Sequence, residues 1–398
     1  MTAAGAARRR PGRYGRFGGQ FVAPVLLPVL DRLEAAFDQA WADPTFRRTF
    51  EDLLERFVGR PTPVFETVTL ASANGGARII LKRDDLTFNG GNYANSALGQ
   101  CLLAVRMGLG AVVTDTGSGQ NGVAAAAVAA RLGLSCTIYM GSSDAARHAA
   151  TIRKMRAFGA DLRIVEDADR TLSAATSAAI RHWMGNSATT AYLAGAPIGA
   201  HPYPAMVGAF QAVIGRETRL QLIEAGVLPR AIVSAVGGGS STIGIFSAFV
   251  GDPQIRLVAV EAGGRSGGSG GDAPHSARLG KGRRGIFHGA ETLVLADEHG
   301  QILPTASIAP GLAYPGSAPE IADLVERGRV ETVAVTDEEA RQAVLRLAKS
   351  EGIVVSLEAG HAVAAAERIA RLYDRNDAVV VMVASAGDKD LDVIWPES

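Results

Sequence analysis

The chain has 398 residues, of which 47% are apolar and 20% charged, and its acidic and basic side chains balance to no net charge. That length allows two domains around a large core, and that composition excludes disordered and fibrous chains. The balanced charge gives no attraction to nucleic acid, and no apolar run nears the roughly 18 residues of a membrane span.

The N-terminus lacks the apolar core of a signal peptide, so a cytoplasmic protein is expected. Residues 1–12, including Arg8-Arg9-Arg10, read as a disordered tail. Leu26 to Ala42 reads as an amphipathic helix. Gly59-Arg60-Pro61-Thr62-Pro63 reads as an extended entry to the first sheet, because proline disfavours the helical region for its predecessor. Arg78-Ile79-Ile80-Leu81 follows Gly75-Gly76 as a short buried strand. Asn89-Gly90-Gly91-Asn92 is a turn, and Ala94 to Met107 has helical spacing, with Asn92 or Asn95 as its cap.

Apolar runs at 78–82, 111–114, 134–139, 162–165, 231–236, 256–260 and 378–384 alternate with helical stretches. This pattern predicts an α/β fold with mostly parallel sheets. Cys101 and Cys136 fall in a helical and a strand-like segment and are expected as reduced core residues. Gly263 to Gly271 reads as a flexible surface loop. Thr336-Asp337-Glu338-Glu339 has capping-box spacing.

Two glycine-rich turns stand where a strand run gives way to a helix. Gly237-Gly238-Gly239-Ser240-Ser241 follows the run Ile232 to Val236. Successive glycines let backbone N–H groups converge on a phosphate; the plainer alternative is a tight turn. Asp115-Thr116-Gly117-Ser118-Gly119-Gln120-Asn121-Gly122 is the second such turn. Asp115 is either a proton-transfer group or an ordinary carboxylate at a strand end.

From about Tyr14 to Asp390 the sequence resembles the β subunit family of tryptophan synthase. The resemblance rests on Leu81 to Gln100, on the Gly-rich segment Tyr14 to Val22, and on Gly59-Arg60-Pro61-Thr62-Pro63. It rests also on His201-Pro202-Tyr203-Pro204, Gly237-Gly238-Gly239-Ser240, Gly280-Lys281-Gly282-Arg283, Tyr314-Pro315-Gly316 and Gly387-Asp388-Lys389-Asp390. It implies the type II pyridoxal-phosphate-enzyme fold, with two doubly wound, mostly parallel-sheet domains and the site between them. The N-terminal domain would be 59–210, with a mobile closure element at about 108–195. The C-terminal domain would be 13–58 plus 211–398. A homodimer is also implied.

The resemblance assigns site residues one by one, with several departures. The family's Schiff-base Lys falls on Tyr93 and the preceding His on Asn92. The family's substrate-carboxylate loop corresponds to Gly117, Ser118, Gly119, Gln120 and Asn121, with Asn121 in place of a His. Asp115 replaces its proton-transferring Glu, and Asp is one methylene shorter. Glu358 matches a Glu near the cofactor ring. Ala384 replaces a Ser at the pyridine nitrogen, with Ser385 as a neighbouring substitute. The family's cofactor-phosphate site corresponds to Gly237, Gly238, Gly239, Ser240 and Ser241. Arg147 keeps one half of a closure pair whose Asp falls on Ala313, leaving it either to meet a substrate anion or to be solvated. Thr171-Leu172-Ser173 lacks the Lys that meets the α subunit, so an α-type partner is doubtful.

These departures lead to an expectation of altered chemistry on a retained fold. The chain is expected to carry no covalently bound cofactor, with pyridoxal phosphate bound at most non-covalently, and no metal. Tyr93, Asp115 and Glu358 would catalyse a cofactor-independent lyase-type, dehydration, cyclisation or carbon–carbon bond-forming reaction. The substrate would be an anionic, possibly indole-like small molecule. One alternative is pyridoxal-phosphate-dependent β-replacement or elimination, with the cofactor on another lysine or held without one. A second alternative is a non-catalytic partner subunit.

Overall fold

Parallel strands in the interior of a sheet are covered on both faces, so their sequences read as unbroken apolar runs. Ala378–Val383 is such a run, and in the computed structural model, which describes residues 12–167, 170–265 and 275–396, all of it is buried. It lies inside a six-stranded sheet ordered Val330–Val335, Arg256–Ala262, Ala231–Ala235, Ala378–Val383, Arg78–Arg83 and Val64–Glu66. All neighbours in this sheet are parallel except the short edge strand Val64–Glu66. A second sheet, Asp161–Val165, Ser135–Gly141, Ala111–Thr116 and Thr190–Tyr192, is wholly parallel. A small antiparallel sheet joins Arg13–Tyr14 and Phe17–Gly18 to the hairpin Arg283–Phe287 and Ala290–Val294.

Side chains alternate across a strand, so each large-sheet strand feeds two cores. Ile80, Ile232, Leu257, Val380 and Met382 belong to a cluster with Leu98 of the helix Tyr93–Arg106 and Phe210 of the helix Tyr203–Gln211. Ile79, Leu81, Val233, Val258, Val379 and Val381 belong to the other, with Val344 and Leu347 of Asp337–Glu351 and Val363 of Leu357–Ala370. Phe210 is also enclosed by Phe37, Trp41 and Phe50 from the first helices, with ring centroids 5.3 to 5.7 Å away. Gly99 is needed beside it, because a Cβ there would stand 2.3 Å from the Phe210 ring.

The seven apolar runs all appear as strands, shifted by a residue or two. The strands not anticipated are short, or lie at an edge like Val330–Val335, where Glu331 interrupts the apolar pattern. The predicted N-terminal helix begins at Leu27, after a 3-10 turn Pro24–Leu26. Thr336 and Glu339 form the capping box. Cys101 and Cys136 are free and buried. Among the described residues no helix is long and apolar enough to cross a membrane. Apart from Gly12, the tail 1–12 and its arginines lie outside the described residues, as does most of the loop 263–271.

The capping role expected of Asn92 or Asn95 is not observed. Asn92 has helical backbone angles and its side chain makes no cap bond; its amide donates instead to Ser240 Oγ at 3.2 Å. Asn95 lies inside the helix, fully buried, between Arg60 and Gln211. Both amides serve long-range contacts that a local pattern cannot reveal.

Those contacts belong to a buried ion cluster. Arg60 donates to both oxygens of Asp84 at 3.0 and 3.1 Å and to both oxygens of Glu217 at 2.7 Å. Lys82 donates to Thr62 O, Glu217 and Gln221 at 2.6, 3.0 and 3.0 Å. Burial alone would favour neutral forms, yet Arg60 and its neighbours hold Asp84 below the usual carboxylate range. Removing one member of such a pair leaves an uncompensated buried charge, so Arg60→Met should lower the unfolding free energy by about 3–5 kcal/mol. Urea denaturation tests this; a loss below about 1 kcal/mol would show that the cluster is not a structural determinant.

Candidate active site

The carboxyl ends of parallel strands are where open α/β sheets gather ligands. Two cavities meet at Tyr93 beside the ends of Ala111–Thr116, Ala231–Ala235 and Ala378–Val383. Tyr93 opens its own helix next to Gly90-Gly91-Asn92 and lines both cavities. Burial, and then the Glu358 charge, push its phenol up to about 12. It is therefore a neutral O–H near pH 7.

The larger cavity has a volume of about 310 Å³ and is mainly apolar. Its wall includes Leu26 and Leu30 from the N-terminal segment and Ile180 and Trp183 from the helix Leu172–Asn186, with Tyr192 and Tyr203 opposite. Trp183, Tyr192 and Tyr203 pack mutually, with centroids 5.5 to 6.0 Å apart. Asp115 is the carboxylate in this wall. Tyr192 Oη donates to its Oδ1 at 2.7 Å and Thr176 Oγ1 to its Oδ2 at 2.8 Å. Burial raises the Asp115 pKa, and the two hydroxyl donors work against that rise.

Gly117 and Ser118 border this cavity, while Ser118 and Gln120 border the second. Gly119 has φ +85°, and a Cβ there would stand 2.2 Å from Thr151 Cγ2, so the loop is tight against the helix Ala149–Ala157. Asn121 lines the larger cavity, but its amide is committed to Thr114 Oγ1 and Asp115 O at 2.9 and 2.8 Å. It straps the loop to the strand.

The second chamber is bordered by Gly237, Gly238, Gly239, Ser240 and Ser241 on one side and by Glu358, Ser385 and Lys389 on another. A Cβ at Gly237 would fall 1.9 Å from Gly311 O, at Gly238 2.3 Å from Ala196 Cβ, and at Gly239 2.5 Å from Ile321 Cδ1. Among the described residues, the N–H groups of these glycines have no hydrogen-bond acceptor. Such a cradle has the space and the donors for a phosphate. Ser240 Oγ is fixed by Gln211 Nε2 at 2.7 Å. Ser385 Oγ donates to Ser356 Oγ at 2.9 Å.

Glu358 accepts from Gly311 N at 3.0 Å and from Lys389 Nζ at 2.8 Å. Burial would raise its carboxyl, but the Lys389 ammonium outweighs that and holds it at about 2. Lys389 also donates to both oxygens of Asp390. Burial lowers its pKa; the two carboxylates more than offset this and raise it.

Tyr93, Asp115 and Glu358 thus come together, as do Asn92, both glycine turns and Ser385. Arg147 does not join them: its half-exposed guanidinium pairs with the buried Asp144 Oδ1 at 2.7 Å. The sequence reading missed the aromatic wall, Thr176 and the place of Lys389. Thr176, Ile180 and Trp183 follow i, i+4, i+7 spacing, which marks one helix face. Lys389 lies in one of the blocks that carry the resemblance and is, with Lys82, a lysine on which the alternative reading could place the cofactor, but its position in the chamber is not legible in the sequence.

The family described as "Pyridoxal-phosphate dependent enzyme" matches residues 56–385. Two relatives, each a tryptophan synthase beta chain from Stenotrophomonas maltophilia, strains K279a and R551-3, are 44% identical over 384 residues. The alignments cover 96% of this chain and 94% of each relative. This overturns the expectation that pyridoxal phosphate is absent or bound only non-covalently. That expectation rested on departures at single positions, Tyr93 foremost, and those do not outweigh a match to the family along most of the chain. The chain belongs to the pyridoxal-phosphate-dependent enzyme family and is tryptophan synthase β-like in sequence along nearly its whole length.

Proposed function

We propose that this protein is a lyase-type enzyme performing pyridoxal-phosphate-dependent β-replacement or elimination on an amino-acid substrate, with an indole-like aromatic co-substrate. The observation that carries this reading is the junction at Tyr93 of a chamber with a glycine cradle and a lysine amine and a second chamber with an aromatic wall and one carboxylate. The residues fit the cofactor. The N–H groups of Gly237, Gly238 and Gly239 and the hydroxyls of Ser240 and Ser241 would hold its phosphate, with Glu358 and Ser385 beside its ring. When bound, it supplies an electron sink for charge at the substrate α-carbon.

The chain's own groups divide the remaining work. Backbone donors of Gly117 to Gln120 would bind the substrate carboxylate. The neutral Tyr93 phenol would donate a proton at the boundary between the chambers. Trp183, Tyr192 and Tyr203 would stack on a flat ring and exclude water. Asp115, oriented by its two hydroxyl donors, would accept a ring N–H. The resemblance also supports a homodimer, and Thr171-Leu172-Ser173, which lacks the Lys that meets the α subunit in the family, weighs against an α-type partner.

Covalent attachment is assigned to Lys389. The chain's lysines are Lys82, Lys154, Lys281, Lys349 and Lys389. Lys389 borders the cradle chamber, whereas Lys82 lines neither cavity and lies in the buried ion cluster. The Lys389 ammonium is held in place by Glu358 and Asp390. Borohydride reduction of the pyridoxal-phosphate-loaded protein, followed by peptide mass mapping, should place the adduct on Lys389. An adduct on Lys82, or none, would overturn the assignment.

Tyr93→Phe removes the phenol but not its volume. It should lower kcat by about 10²- to 10⁴-fold while the cofactor absorption band persists. Near-normal turnover would reduce Tyr93 to a space-filling role.

The Glu358 carboxyl is lowered from an ordinary 4.5 to about 2, so its contribution to stability is complete above about pH 4.5 and is lost as pH falls through about 2. Urea unfolding across that window should show a shallower acid loss for Glu358→Gln than for the parent. Equal slopes would mean that the ion pair does not hold the carboxyl down.

A further inference from the structure

Beneath the glycine cradle lies a cation that the chemistry above does not use. Arg278 is among the largest fully buried side chains of the protein. Its guanidinium donates to Ser276 O at 2.7 Å, to Val236 O at 2.5 Å and to Gly237 O. Its acidic neighbour is Glu261, which accepts from the Leu279 and Gly280 amides at 2.8 and 2.9 Å and approaches Arg278 Nε only to 3.9 Å. The charge of Arg278 is thus given chiefly to backbone carbonyls. A guanidinium cannot shed its charge at any ordinary pH, and burying one is costly unless it is well paired.

The two carbonyls nearest the cradle identify its role. In a trans peptide the C=O and N–H point in opposite directions. Drawing Val236 O and Gly237 O onto the guanidinium turns the N–H groups of Gly237 and Gly238 away from it. These are among the N–H groups that have no acceptor within the described residues. A positive charge at the carbonyl end of a peptide also polarises it, making its N–H a stronger donor.

We propose that Arg278 is a positioning residue: a built-in cation that aims and polarises the Gly237 and Gly238 amides toward the cofactor phosphate. The proposal rests on reading 237–241 as the phosphate cradle. Arg278 itself touches no ligand. It acts through the peptide units that do.

The test is equilibrium titration of pyridoxal phosphate and of inorganic phosphate into cofactor-stripped protein, followed by absorbance and by competition. Parent protein that binds neither would sink the cradle reading itself, before Arg278 is tested. Given parent binding, Arg278→Gln, which keeps donors but not charge, should weaken both ligands at least 10-fold. Arg278→Lys should stay within about threefold of the parent. In Arg278→Ala, millimolar guanidinium should restore affinity, while tetramethylammonium at equal ionic strength should not. Parent-like affinity in the Gln variant would overturn the proposal. So would equal weakening in Gln and Lys without guanidinium rescue, which would mark Arg278 as a packing element only.

Discussion

A continuous buried hydrogen-bond chain sets the geometry on which the site depends. It starts at Arg60, between Asp84 and Glu217, and passes to Asn95 on the helix Tyr93–Arg106. Asn95 donates to Gln211 at 3.0 Å, and Gln211 donates to Ser240 at 2.7 Å. Asn92, next to Tyr93, donates to the same serine. Three segments distant in sequence are thereby held in one register: the strand-to-helix turn before Tyr93, the helix carrying Gln211, and the glycine cradle. Polar atoms in such a chain have no water to fall back on, so a displaced member strands its neighbours. That fixes the cradle relative to Tyr93 more firmly than apolar packing could.

Charge is layered around that frame. Lys389 and Glu358 form a pair on one flank of the glycine-cradle chamber, and Arg278 lies behind the cradle. The apolar cavity instead holds a lone carboxylate, Asp115, met by neutral hydroxyls rather than by a cation. The contrast suits two jobs. On the proposed function, an anionic cofactor would be held where positive charge and N–H groups gather, and a nearly neutral aromatic ring would be received where charge is sparse.

Much of this was legible in the sequence, and what was not has identifiable causes. The apolar runs announced the strands because both faces of an interior parallel strand are buried. Gly237 to Gly239 announced a close approach, and the structure shows backbone or side-chain atoms under each of them. Asn92 and Asn95 misled as caps, since their partners Ser240, Arg60 and Gln211 come from segments that only tertiary structure brings near. Tyr93 and the departures at Asn92, Asp115, Ala313 and Ala384 misled about the cofactor: together they read as loss, whereas the family match over most of the chain does not support it, and the amine at Lys389 borders the same chamber. Arg147 suggested an anion contact and instead found Asp144 three residues away. Arg278 gave no signal, because nothing local distinguishes a buried arginine from the many exposed ones.

The small antiparallel sheet bears on how the chain folds. Arg13 pairs with Glu291, 278 positions later, and Gly18 registers against the same residue. Leu26 and Leu30, just downstream of these first strands, also wall the aromatic cavity. This small sheet therefore forms only when segments 278 residues apart in sequence meet. Contacts of such long sequence separation cost loop-closure entropy before they are rewarded, which slows folding. The aromatic cavity, walled in part by Leu26 and Leu30, shares that dependence on long-range closure.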